Sequence, residues 1–174
     1  EDLGVKMAGS PVMLLGAGGA ARAAAVAALH DGCSGLWIGN RTVKSLIDLM
    51  RTLRPLATRA KIPLNGFDLA NPTGDLPANA LVINATSAGL KPSDEAPIDL
   101  SKLPGQPGVY DMIYNAPETP LLRAATRLGL RAANGLTMLV HQGARSLEIW
   151  SDQTVNATIM QDACRKALEA APAS

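Results

Sequence analysis

Much that would point this chain to a common role is missing. It has two cysteines and two histidines in 174 residues. Cys33 and Cys164 lie far apart, form no Cys-x-x-Cys pair and do not cluster with His30 or His141. The spacing supports neither a disulfide framework nor a metal site, and it fits a reducing cytoplasm. No sign of charge is in excess: 16 Lys and Arg face 15 Asp and Glu, for a net charge of +1. A nucleic-acid surface or an acidic tail gets no support from that balance. No apolar run approaches a membrane span, and nothing like a signal peptide precedes the first strand pattern. There is no internal repeat. What is present, 47% apolar and 18% charged residues, is the make-up of an ordinary soluble domain with one good core.

The most informative stretch is Pro11 to Ala28, PVMLLGAGGAARAAAVAA. Val12–Leu15 is an apolar run of strand length. Gly16-Ala17-Gly18-Gly19 follows at once, and then an alanine-rich stretch that reads as helix. Strand, glycine turn and helix are the context the dinucleotide fingerprint needs. Gly16 permits the tight turn. Gly18 lets a pyrophosphate approach the backbone. Ala21 takes the third position, where a small residue lets the helix pack on the strand. Free N–H groups and the positive dipole end at the helix start then face the phosphates.

The rest of the chain alternates. Residues 1–10 read as a connector, with the end of a helix in Glu1–Val5, and 11–174 as the nucleotide-binding domain. The periodicity predicts a helix over Gly19–His30 with Gly32 closing it, a strand over Leu36–Asn40, and a helix over Val43–Leu56 capped by Thr42. A weaker strand lies within Ile62–Leu69. Ala80–Ala85 is unbroken in apolar character, so it predicts a strand buried on both faces. Lys91–Gly108, with four prolines, is irregular. Val109–Tyr114 predicts a strand, Leu121–Leu128 a helix, and Arg131–Asn134 a short strand. Two helices close the chain, Thr137–Trp150 and Thr154–Ala170, the last with an apolar stripe at Val155, Ile159, Ala163 and Ala167. Such alternation implies a Rossmann-like, doubly wound parallel α/β sheet of about six strands, with ligands at the carboxyl ends of the strands.

Cofactor choice rests on the end of the second strand. In NAD-binding folds an acidic residue about 20 positions past the fingerprint takes the ribose 2′-OH. Here that position reads Asn40-Arg41-Thr42, with no carboxylate. Arg41 can fork onto a 2′-phosphate or lie flat on adenine. Thr42 offers a hydroxyl and a helix-start N–H, and Lys44 adds charge. The spelling favours NADP(H).

Five segments in order then resemble the shikimate dehydrogenase family: GAGGAARA (Gly16–Ala23), NRT (Asn40–Thr42), NATSAGL (Asn84–Leu90), DMIY with TPLL (Asp111–Leu122) and NGLTMLVHQ (Asn134–Gln142). The resemblance covers nearly the whole chain and implies NADP-dependent reduction of 3-dehydroshikimate to shikimate. Carried over, it implies that Gly16, Ala17, Gly18, Gly19 and Ala20 hold the pyrophosphate and that Asn40–Thr42 hold the 2′-phosphate. It places Ala85, Thr86 and Ser87 along the cofactor groove, Met112 and Gly135 beside the nicotinamide, and Tyr114 and Gln142 on the substrate side. Read without the family, Tyr114 is as well explained as a packed core residue and Gln142 as a solvated one. One departure is visible: where the family has proline two residues after the tyrosine, this chain has Ala116, with Pro117 one later.

The family's catalytic lysine and aspartate lie in a separate N-terminal substrate domain, in motifs that this chain does not contain. The resemblance thus implies a cofactor-binding half with no catalytic residue of its own, paired with that domain and able to self-associate without it. Tyr114, Asp111, Lys44, His30 and His141 can be imagined as proton carriers, but none has a partner at a telling spacing. Alternative readings are a quinate/shikimate dehydrogenase-like reductase, a methylenetetrahydrofolate-type reductase and a non-catalytic NADP-binding module. The Tyr114 and Gln142 motifs argue against the folate enzyme, and Asn40-Arg41 against a strict NAD user.

Overall fold

Alternation along the first strand sets the layers. In the computed structural model, which describes residues 3–91, 93–116 and 118–170, β1 (Pro11–Leu15) sends Val12 and Leu14 to one face and Met13 and Leu15 to the other. All four are buried, so the strand needs cover on both sides. The first face receives α1 (Gly19–His30) and α2 (Val43–Ala60); the second receives α3 (Pro120–Arg127) and a 3-10 turn at Leu100–Lys102. Helix α1 lies close to the sheet because Ala21, Ala25 and Ala28 on its inner face are small and fully buried.

The other strands are β2 (Gly35–Asn40), β3 (Leu64–Asp68), β4 (Leu81–Asn84), β5 (Gly108–Asp111) and β6 (Ala132–Asn134). All pair in parallel in the order β3-β2-β1-β4-β5-β6. The chain winds outward from β1 through β2 to β3, then returns to β4 beside β1 and winds the other way. That is the doubly wound sheet read from the sequence. The carboxyl ends of β1 and β4, neighbours that lead in opposite directions, open the crevice where such sheets bind ligands. Helices α4 (Leu136–Ser151) and α5 (Ala157–Ala170) pack on each other. Among the described residues no helix is long and apolar enough to cross a membrane.

Four expectations need correction. Helix α2 runs to Ala60 rather than Leu56, with Pro55 inside it. Proline removes one intrahelical bond. However, Ala57 extends the buried stripe of Leu46, Leu49 and Leu53, and the turn closes only at Lys61, left-handed at φ 57°. Strand β5 stops at Asp111, short of Tyr114, because the Asp111 carboxylate accepts from its own Ile113 N–H at 3.2 Å and bends the chain. Helix α5 starts at Ala157 rather than Thr154, where Asn156 Oδ1 accepts from the Thr158 and Ile159 N–H groups. Its inner face is Ala157, Met160, Cys164 and Leu168, while Ile159, Ala163 and Ala167 of the expected stripe are exposed. Finally, residues 3–5 are not helical, and Glu1 and Asp2 lie outside the described residues.

Candidate functional site at the carboxyl edge of the sheet

Gly16 is the tightest point of the crevice. It sits at φ +112°, and its N–H donates to Gly39 O at 2.7 Å. A β-carbon there would come within 2.9 Å of Ala85 O, at the exit of β4. Gly18 has the opposite surroundings: a β-carbon on it would meet nothing within 4 Å. Gly18 is the N-cap of α1 and offers no side-chain acceptor, so the first-turn N–H groups face open space. Gly18, Gly19 and Ala20 are exposed, Ala17 is half-buried, and Ala21 is sealed against the sheet. The loop leaves room for a ligand at the helix start, and the dipole there favours an anion.

Thr86, whose methyl lies 3.2 Å from the β-carbon position of Gly16, belongs to a cleft of about 580 Å³ lined also by Arg41 from the end of β2, Leu69 and Ala70 after β3, and Ser87 and Ala88 after β4. Its far wall is Leu90, Lys91 and residues 93–97. Asp94 orders that loop by accepting from the Gly89 N–H at 2.9 Å and the Lys91 N–H at 3.1 Å. These bonds, with Lys91 nearby, hold its carboxyl below the usual carboxylate range. Thr42 is the N-cap of α2, but its hydroxyl accepts no capping bond and stays available; Asn40 Nδ2 donates to the Thr42 carbonyl at 2.9 Å and fixes the corner. Lys44 behaves differently from Arg41. Its ammonium lies 3.3 Å from Asp48 one turn along α2, and the cleft wall does not include it. Lys91, which the sequence motifs do not single out, does line the cleft. Only its place after the β4 turn could have flagged it.

A buried polar network joins the exits of β4 and β5. Asn84 and Asp111 are both fully buried, and Asn84 Nδ2 donates to Asp111 Oδ1 at 2.9 Å. Thr119 Oγ1 donates to Asp111 Oδ2 at 2.6 Å, and the same hydroxyl accepts from the Leu122 N–H at the start of α3. Asn84 Oδ1 accepts from Thr86 N–H at 3.0 Å and from Thr86 Oγ1 at 2.7 Å. Burial pushes the Asp111 carboxyl above its ordinary range, against the opposing pull of the Thr119, Ile113 and Asn84 hydrogen bonds. Three donors converge on the carboxyl and offset part of that effect of burial.

Met112 and Gly135, expected to flank one ring, are in fact in backbone contact. A β-carbon on Gly135 would collide with Met112 O, and Gly135 N–H donates to Ile113 O at 3.1 Å. Gly135 is also the N-cap of α4. Ala85 and Thr86 are half-buried and Ser87 is exposed at the crevice. Tyr114, 42% exposed, stands at the surface rather than in the core, as does Gln142 on α4. Met138, on the same helix face as Gln142, lines a cavity of about 650 Å³ with Leu3, Met112 and His141. His30 stands in solvent at the end of α1. Pro117, the departure in the tyrosine loop, lies outside the described residues.

Comparison with known proteins sharpens the chemistry. A family model described as Shikimate 5'-dehydrogenase C-terminal domain matches residues 135–165. A shikimate dehydrogenase (NADP(+)) of Symbiobacterium thermophilum is 40% identical over 182 residues, covering 99% of this chain and 59% of that protein. The chain therefore spans little more than half the length of the curated relatives it matches. Among solved structures, 5-ketofructose reductase of Gluconobacter sp. strain CHM43 superposes with a TM-score of 0.80 at 31% identity, over 94% of this chain and 58% of that one. Shikimate 5-dehydrogenase from Thermus thermophilus, in complex with NADP(H) and shikimate, gives 0.72 at 30% identity, over 94% and 57%.

Proposed function

Since the chain belongs to the shikimate dehydrogenase family and corresponds to its C-terminal domain, we propose that it is the NADP(H)-binding half of an oxidoreductase. That enzyme reduces 3-dehydroshikimate to shikimate in the cytoplasm. The observation that carries the cofactor assignment is the cleft in which Arg41 and the Thr86–Ala88 turn face each other, with Thr86 against Gly16 in the loop that leads to the uncapped start of α1. A guanidinium there pairs with a 2′-phosphate, and no carboxylate at the end of β2 repels it. Gly16–Ala20 hold the pyrophosphate; Asn40, Arg41 and Thr42 hold the 2′-phosphate. Lys44 reaches it only on leaving Asp48.

When bound, the cofactor supplies the hydride. Met112 and Gly135 would form a floor for the nicotinamide, and Ala85–Ser87 would line the groove that leads to it. Tyr114 and Gln142, both exposed, would orient the substrate. Asp111 does not carry the proton that must reach the substrate oxygen, because it is sealed from solvent and committed to three donors. That proton comes from a lysine and an aspartate of a substrate domain. The exposed Ile149, Trp150 and Ile159 on α4 and α5 are surface that this domain, or a second copy of the chain, covers. Leu147 on α4 is exposed as well, whereas Leu3 is buried in the core. A second reading, reduction of another polyhydroxylated ketone, is favoured by the backbone match to 5-ketofructose reductase.

Titration calorimetry with NADPH and NADH, followed by an assay of NADP reduction by shikimate, tests the proposal. Tighter binding of NADPH, no turnover by this chain alone, and activity once it is fused to a substrate domain are expected. Equal affinities would remove the cofactor assignment. Turnover by the chain alone at about 1 s⁻¹ or faster would place the proton carrier here.

A further inference from the structure

The Asp111 network lies beneath the nucleotide crevice, and the cofactor reading gives it no task. We infer that Asp111 is a positioning residue: its carboxylate sets the Met112–Ile113 backbone, and through it Gly135, as the nicotinamide floor. This rests on the cofactor reading above.

The geometry runs in one direction. Oδ1 accepts from Asn84 Nδ2 and from the Ile113 N–H, while Oδ2 accepts from Thr119 Oγ1 at the start of α3. The strand end, the loop after it and the next helix therefore share one anchor. Ile113 O in turn accepts from the Gly135 N–H, and Met112 N–H donates to Asn84 O. Gly135 lies directly on the Met112 backbone. A shift at Asp111 must therefore move the Met112–Gly135 contact. The adenosine side is tied to it only through Asn84, which holds Thr86 at the cleft wall. Asn84 keeps its own ties, with Oδ1 to Thr86 and Nδ2 to Ala88 O at 3.4 Å, and Arg41 follows directly on β2. Loss of the carboxylate thus falls first on the nicotinamide side, where Ile113 bonds it directly, while Asn84 keeps its bonds to Thr86 and Ala88 without it.

Two ligands separate that role from general support of the fold: NADPH, which reaches the floor, and adenosine 2′,5′-bisphosphate, which does not. Asp111→Ala should weaken NADPH about tenfold or more, the scale of losing a charged-group hydrogen bond, and change the bisphosphate by less than about twofold. Asp111→Asn should stay near wild type for both. Its oxygen can still accept from Asn84 and Ile113, and its amide can donate to Thr119 Oγ1. If Asp111→Ala does not fold, Thr119→Val is read the same way, with Thr119→Ser restoring the wild-type values. Equal weakening of both ligands, no weakening of either, or an Asn variant as impaired as Ala would overturn the assignment. Wild-type chain that binds neither ligand fails the cofactor reading itself and takes this inference with it.

Discussion

The carbonyl oxygen of Ala85 stands 2.9 Å from the point where a β-carbon of Gly16 would be, so the exits of β1 and β4 touch through a glycine. Gly18, two residues on, faces open space. The two glycines of one motif thus answer to different constraints, one set by the protein and one by its ligand. Gly16→Ala should cost about 1–3 kcal/mol of stability, because φ +112° is strained for a side chain and the contact must open. Gly18→Ala should melt with wild type yet bind NADPH more weakly, its methyl standing where the pyrophosphate approaches. Calorimetric melting beside nucleotide titration reads both. Parallel losses of stability in the two variants would refute the division.

Arg41 is exposed and lines the cleft. Arg41→Ala should remove a charge-assisted contact of roughly 1.5–3 kcal/mol, so the preference for NADPH over NADH should fall about tenfold or more. Lys44→Ala should do less, since its ammonium is already beside Asp48. Titrations with both nucleotides decide between them, and a larger loss at Lys44 would reverse the ranking.

Asp111 gives a pH dependence of definite sign. Burial raises its carboxyl above the ordinary 3.8. Between that value and the raised one, the folded chain binds more protons than the unfolded chain. Its contribution to stability is therefore full at acid pH and is lost as pH rises through the folded pKa. Asp111→Asn does not titrate, so the stability gap between wild type and variant should narrow from pH 4 toward neutrality. Urea unfolding at stepped pH measures the gap, and a gap that widens with pH contradicts the raised value.

Trp150 is 79% exposed, and Ile149 and Ile159 are each 67% exposed. Surface of this kind on paired helices seeks cover. The isolated chain should sediment above its monomer mass at high concentration, and Trp150→Ser with Ile159→Ser should return it to monomer. A clean wild-type monomer, with no binding of a hydrophobic dye, counts against this.

Local chemistry was legible in the sequence. Helix α1 spans Gly19–His30 as read, because its glycine start, alanine face and Gly32 exit are all consecutive features. The doubly wound order followed from alternation of elements. What escaped depends on distant partners. Asp111 ends β5 and anchors the floor through Asn84, 27 residues away, and Thr119, eight away. The stripe of α5 was legible as a pattern, but its outward orientation is set by packing against α4. Helix α2 outran its proline because burial of Ala57 sustained it. The cleft itself is made by three strand ends and one loop, and only the Arg41 part of it has a spelling that stands alone.

The first described residues reach both wings of the sheet. Leu3 is in the core beside α1, and its carbonyl accepts from Arg131, just before β6. Gly9 N–H donates to Gly32 O, and Ser34 N–H to Ser10 O, at the approach to β2. The segment is thus a strap across the seam where the two windings meet. A tether fixed at the amino end would load the β2 side and the β6 side together. In a pulling experiment from that end, resistance should come from shearing both sets of bonds at once, not from peeling strands off one edge.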